Sequence, residues 1–405
     1  MALIISANLL SCGSEKEAAK DVLIEKPIVK IADGIMTPEV LHSFGRLSEV
    51  QVSPDHTKIL YGVTYVSISE NKTNRELFTM NIDGSDKKQI TKTPKSESQA
   101  CWIKDGKKIA FLSSESGSSQ IWEMNADGTN RKQISKIEGG VNGFAYSPDE
   151  SKILYFSNVK FGERTADQYP DLPKASGRLV EDLMYKHWDT WVEEIPHSFV
   201  ADYDGSELSN IIDINKNEPY ECPMLPFGGI EQLAWSPDGK NVAYTCRKKT
   251  GLDYSLSTNS DIYLYNLADK STTNLTEGMM GYDINPKFSP DGKYIAWQSM
   301  ERDGYESDKN RLFAMDLASK EKVYLTKDFD YNTDYLTWNT DSKSIYFVSC
   351  VEAKTQLFSV SIDSTEVKAI TSGMHDYESC TPAGDKLIAV KHSISKPNEI
   401  YSVNI

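Results

Sequence analysis

Ser289-Pro290-Asp291-Gly292-Lys293-Tyr294-Ile295-Ala296-Trp297 is the stretch whose reading decides the fold. Its first four residues suit a type I turn: Pro pre-sets φ, Asp can bond nearby backbone N–H groups, and Gly closes without a Cβ clash. The residues after it alternate in the β-branched and aromatic pattern of a half-buried strand. Six other copies stand along the chain, at Ser53-Pro54-Asp55, Lys104-Asp105-Gly106, Ser147-Pro148-Asp149, Ser236-Pro237-Asp238-Gly239, Asn339-Thr340-Asp341 and Thr381-Pro382-Ala383-Gly384. Each leads to one strand anchor: Ile59, Ile109, Ile153, Val242, Ile295, Ile345 and Ile388, separated by 50, 44, 89, 53, 50 and 43 residues. Self-similarity at such a period marks units that must stack on their neighbours to bury an apolar face.

Four strand-like runs make up a unit. One precedes the turn, as in Gln232-Leu233-Ala234-Trp235, and the second follows it. The third reads Ile121-Trp122-Glu123-Met124-Asn125-Ala126-Asp127-Gly128. The fourth is short and ends in Ile or Leu plus a hydroxyl residue, as in Ile90-Thr91, Ile134-Ser135 and Leu325-Thr326. Four strands per unit of this length is the pattern of a propeller blade. An all-β, seven-bladed β-propeller over residues 51–405 is therefore expected, after a tether and lead-in at 13–50. Blade seven stops at Glu399 to Ile405 without a fourth strand, so it is expected to be incomplete and frayed unless the Ile28-Val29-Lys30-Ile31 run covers it.

With 44 Lys+Arg against 59 Asp+Glu, the net charge of −15 argues against nucleic acid or an anionic membrane as partner. At the N-terminus, Leu9-Leu10-Ser11-Cys12-Gly13 closes a short apolar run and is followed by polar residues. This resembles a bacterial lipobox, although no Lys or Arg precedes the apolar run. Residues 1–12 are read as a lipoprotein-type signal remnant, Cys12 as the lipidated residue, and the compartment as the bacterial envelope on its periplasmic side. Such an anchor is then the only membrane association expected. No run reaches the ~18 apolar residues of a spanning helix. The remaining cysteines fit no zinc pattern, and no disulfide pair is indicated.

The 89-residue step falls in blade three, where some 40 residues, about 160–196, interrupt the repeat. Leu179, Val180, Leu183, Met184, Trp188, Trp191 and Val192 recur at three-to-four spacing after a cap at Ser176 or Gly177, which predicts a helix. A Pro-rich link, Glu218-Pro219-Tyr220-Glu221-Cys222-Pro223-Met224-Leu225-Pro226, follows the same blade. Insertions in repeat proteins gather at one face, often the binding face.

Catalytic patterns are missing. There is no Gly-x-Ser-x-Gly elbow, no His-Glu-x-x-His, no Cys-x-x-Cys and no phosphate-binding Gly-rich loop. No catalytic residue, metal ligand or cofactor is assigned.

The Ser-Pro-Asp-Gly repeats resemble those of TolB-type propellers. Leu183-Met184-Tyr185-Lys186-His187-Trp188-Asp189-Thr190-Trp191-Val192 is similar to the matching segment of bacterial dipeptidyl peptidase V and acylaminoacyl peptidases, in the prolyl oligopeptidase family of serine peptidases. Met36-Thr37-Pro38-Glu39-Val40-Leu41 and Leu47-Ser48-Glu49-Val50-Gln51-Val52 resemble that group too. The resemblance implies a propeller that gates peptide substrates for a C-terminal α/β-hydrolase domain, which is absent from these residues. It also implies, from related dipeptidyl peptidases, insertion carboxylates that hold a substrate's free α-amine. Glu193 and Glu194 are the first candidates and Asp189 the next, with Trp188 or Trp191 as an apolar wall. The alternative reading is a stand-alone propeller that binds another envelope protein. Against any single carboxylate stands the plainer reading of a solvated face.

Overall fold

The computed structural model describes residues 21–31 and 33–405. Among them, six four-stranded antiparallel sheets and one three-stranded sheet follow one another along the chain as seven blades. Blade five shows the plan: Asp283–Phe288 is innermost, then Tyr294–Ser299, Arg311–Asp316 and Lys322–Tyr324 outermost. The seven anchor residues are at most 2% exposed, so the core lies between neighbouring sheets rather than inside any one of them. Blade one begins at Arg46, which brings part of the expected lead-in into the propeller. Ahead of it Pro38–Ser43 forms a short helix, with the Thr37 hydroxyl accepting from Val40 N at 3.3 Å.

The sequence pattern of the repeat has a visible cause. In the turn at Ser289, the serine hydroxyl accepts from Tyr294 N at 3.0 Å and donates to Asp291 Oδ1 at 2.7 Å, while the same carboxylate accepts from Lys293 N. Ser53, Ser147 and Ser236 repeat this lock. The fourth turn residue is left-handed, as Gly292 at φ 72° shows, and His56, Glu150 and Ser342 accept that conformation where no Gly stands. The hydroxyl ending the fourth strand also has a task. Thr91, Ser135, Thr276, Thr326 and Thr371 accept from the backbone N–H groups of Leu77, Ile121, Ile262, Leu312 and Leu357 in the third strands, at 2.8–3.0 Å.

Among the described residues, the ring closes without a shared strand. Blade seven holds only Asp376–Ala383, Lys386–Ser393 and Lys396–Asn404, and its Ile388 packs against Ile59, Tyr61 and Met80 of blade one. The Ile28 to Ile31 run forms no strand, and Ile28 is fully exposed. Residues 21–25 lie elsewhere, with Asp21 on Lys95 and Glu25 on Lys92.

The helix expected over the insertion is not there. The insertion's helix is the single turn Thr165–Gln168, and residues 176–185 are irregular. Lys186–His187 and Thr190–Trp191 pair as a hairpin instead. Met184 and Trp188 both have positive φ, at 62° and 52°, which no helix accommodates. The strands on either side extend unusually far, pairing up to Lys160 with Glu194. This leaves a loop anchored at its base by the extended ladder.

Candidate functional site

The insertion, the Pro-rich link and the loops after the second strands of blades four and five meet on the face opposite the Ser-Pro-Asp turns. Two hollows lie there. One, of about 610 Å³, is lined by Trp188, Trp191, Glu193, Glu194, His187, Lys160 and Arg164, among others. The other, of about 550 Å³, is lined by Met184, Phe227, Tyr254, Tyr282 and Met300 together with Arg247 and Glu306. Both hollows are lined by His187, Trp188, Leu225 and Pro226, which divide one groove into two compartments.

Four of the five expected residues therefore come together, but they are not equivalent. Glu193 already faces Arg178, at 3.0 Å. Glu194 is exposed and, among the described residues, makes no ion pair or side-chain hydrogen bond. Trp191 is held inside the insertion, with Arg178 and Lys186 each 4.3 Å from its ring. Trp188 is 74% exposed and meets Phe227 edge-on at 5.1 Å. Asp189 does not line either hollow; its carboxylate is beside the Thr190 hydroxyl at 3.4 Å. The rim cations Lys160 and Arg164 share one carboxylate, Asp167. Their hydrogen bonds, the one from Lys160 foremost, hold that carboxyl down at about 2.

What fastens the groove is a buried cluster that the sequence does not announce. Glu221 Oε1 lies 2.5 Å from His187 Nε2, and Oε2 accepts from Tyr254 OH at 2.6 Å and from Leu225 N at 3.2 Å. One carboxylate thus ties the insertion hairpin, the link and blade four together. Burial, reinforced by Glu221, pushes the Tyr254 hydroxyl well above its ordinary value, so it stays a donor. Arg247 stacks on Tyr254 at 4.3 Å and donates to the carbonyls of Tyr254 and Ser257. Glu221 stood in the conspicuous Pro-rich link. Arg247 and Tyr254 carried no signal beyond their place after a blade strand.

Six four-stranded units and a three-stranded seventh, closed among the described residues by side-chain packing and carrying one elaborated face, define the class: an open-seamed β-propeller with a groove built by insertions. The family profile of the TolB beta propeller domain matches residues 33–176 and 234–405, and the chain belongs to that family. It is 53% identical over 369 residues to the dipeptidyl-peptidase 5 of Porphyromonas gingivalis, a match spanning 91% of this chain and 54% of that protein. The chain thus spans about half the length of this curated relative. Among solved structures, the acylaminoacyl peptidase of Pyrococcus horikoshii superposes with a TM-score of 0.68 at 18% identity, over 89% of this chain and 51% of the other. The propeller of the trilobed protease from Pyrococcus furiosus, described as having an open velcro topology, gives 0.59 at 16%, over 89% and 95%. At these identities the structures speak for the fold alone.

Proposed function

We propose that this propeller handles substrate for a serine exopeptidase that takes peptides with a free α-amine, and that Glu194 is the group meeting that amine. The supporting observation is the company Glu194 keeps. It is an unpaired carboxylate on a hollow whose other side is Trp188, a bulky residue held exposed with positive φ. Strain of this kind persists only where surrounding contacts enforce it, and it gathers at binding sites. Glu193 contributes a second carboxylate, shared with Arg178. The curated relative of P. gingivalis is named a dipeptidyl-peptidase, which agrees with a site that reads the amino end of a peptide. In this reading, hydrolysis belongs to a catalytic domain of the whole protein, in the part of the relative's length that the match does not span. Lipidation at Cys12 and an envelope location remain part of the reading; Cys12 lies outside the described residues.

A charge-assisted hydrogen bond to an ammonium contributes about 1.5–3 kcal/mol. A C-amidated tripeptide with a free amine is accordingly expected to bind this chain at least about tenfold more tightly than its N-acetylated form, by calorimetry. Glu194→Gln should remove most of the difference. Equal affinity for the two peptides, or a difference that survives in the Glu193→Gln/Glu194→Gln double variant, would sink the assignment.

A further inference from the structure

One step past the buried anchor of each blade, the innermost strands bring one residue each to the same level of the central channel. The strand registers place Gln51, Cys101, Ala145, Ala234, Thr337 and Cys380 there, all uncharged. In blade five the position is Lys287. It lines a cavity of about 740 Å³ in the channel, together with residues from five other blades.

Three observations make this lysine more than a chance surface charge. First, it makes no ion pair with any described residue. Glu231, at the channel mouth, is the carboxylate that acts on it, and Glu231 accepts from Gly229 N at 2.7 Å instead. Second, its backbone is set by devices that recur in other blades, so the repeat itself fixes its place in the channel. A bulge lies between Ile284 and Lys287, Asn285 there has φ 58°, and Trp338 Nε1 from the next blade donates to Lys287 O at 2.9 Å. Third, neutral donors on the same cavity are unused: the Gln51 amide and the Thr337 and Thr381 hydroxyls line it and make no side-chain hydrogen bond to described residues. Lys287 is half-buried where it lines the cavity. That setting pushes it below the ordinary lysine value, with Glu231 opposing the shift.

We infer that the channel holds a carboxylate-binding site, with Lys287 as its cation and Gln51, Thr337 and Thr381 as neutral donors. Glu231 lines the same cavity but is held on Gly229 N, which leaves the ammonium without an ion pair; one cation then matches at most a single negative charge, not a doubly charged phosphate. In a chain of net charge −15, an enclosed unpaired ammonium is a selective place for a small anion. The carboxylate comes either from the C-terminus of a short peptide or from an Asp or Glu side chain. The site does not depend on the amine assignment at Glu194.

Calorimetry with three blocked peptides tests it: N-acetyl-trialanine as free acid, the same peptide as amide, and N-acetyl-Ala-Glu-Ala-amide. Acetylation keeps the Glu194 groove out of the measurement. The free acid should bind at least about tenfold more tightly than the amide. The third peptide reports whether a side-chain carboxylate serves equally. Lys287→Met should erase the preference with no loss of thermal stability, and Lys287→Arg should keep it. Equal binding of acid and amide, no binding of any peptide, or a preference that persists in Lys287→Met would each overturn the site.

Discussion

His187 Nε2 and Glu221 Oε1 lie 2.5 Å apart across the boundary between the blade-three insertion and the link to blade four. Both side chains are at most 10% exposed, whereas Trp188, the next residue, stands in solvent. The contact therefore fixes the exposed part of the groove from below.

Removing that acceptor has a calculable effect. Glu221→Ala leaves His187, Tyr254 OH and Leu225 N without their shared partner, at an expected cost of about 2–5 kcal/mol. The hairpin should also loosen, so that trypsin cuts at Arg178 and Lys186 faster than in the parent chain. Glu221→Gln retains one acceptor and should fall between the two. Unchanged urea midpoints and cleavage rates for Glu221→Ala would show that the hairpin is held by other contacts.

Asp283 gives a pH signature. It is fully buried, and Trp297 Nε1 donates to its Oδ1 at 3.1 Å. Burial pushes its carboxyl up to about 7, against the lowering bonds from Ser299 and Trp297. Above the ordinary Asp value the unfolded chain has released this proton and the folded chain has not, so stability falls as pH rises. The contribution is complete below about pH 4 and gone once pH passes about 7. Asp283→Asn mimics the protonated acid and should lose this component. Its melting temperature relative to the parent should therefore rise between pH 5 and pH 8, and parallel curves would refute the assignment.

Closure by packing alone makes the seam between blades seven and one sensitive. Ile388→Ala removes a side chain that is 2% exposed and touches Ile59 and Tyr61 across the seam. Truncations of this kind cost about 2–5 kcal/mol. Because no strand among the described residues crosses the seam, blade seven should lose hydrogen-exchange protection before blades three to five do. Uniform loss around the ring would mean that the blades unfold as one unit.

Lys396–Asn404 pairs with Lys386–Ser393 on one side and, among the described residues, with nothing on the other. Amides whose N–H points outward there should exchange rapidly, while those paired inward exchange slowly. Slow exchange throughout residues 399–405 would show the edge to be covered.

The sequence determined the repeat, its count and its strand plan, because turn chemistry and alternating burial are local. Ser, Asp and a left-handed fourth residue lock four of the seven turns within six residues. The seven anchors were legible because every blade must bury the same face against its neighbour. Only the tertiary structure decided the insertion, where apolar spacing suggested a helix and two left-handed residues with a long strand ladder produced a hairpin. It alone gathered Glu221, His187, Tyr254 and Arg247, and it separated Glu194, which is unpaired, from Glu193, which already has a partner. Lys287 makes the same point at the centre of the ring. A lysine in an alternating strand reads as solvent-facing, and only closure of seven blades encloses it without an ion pair. Contacts between blades depend on which loops meet in space, and no period along the chain encodes that meeting.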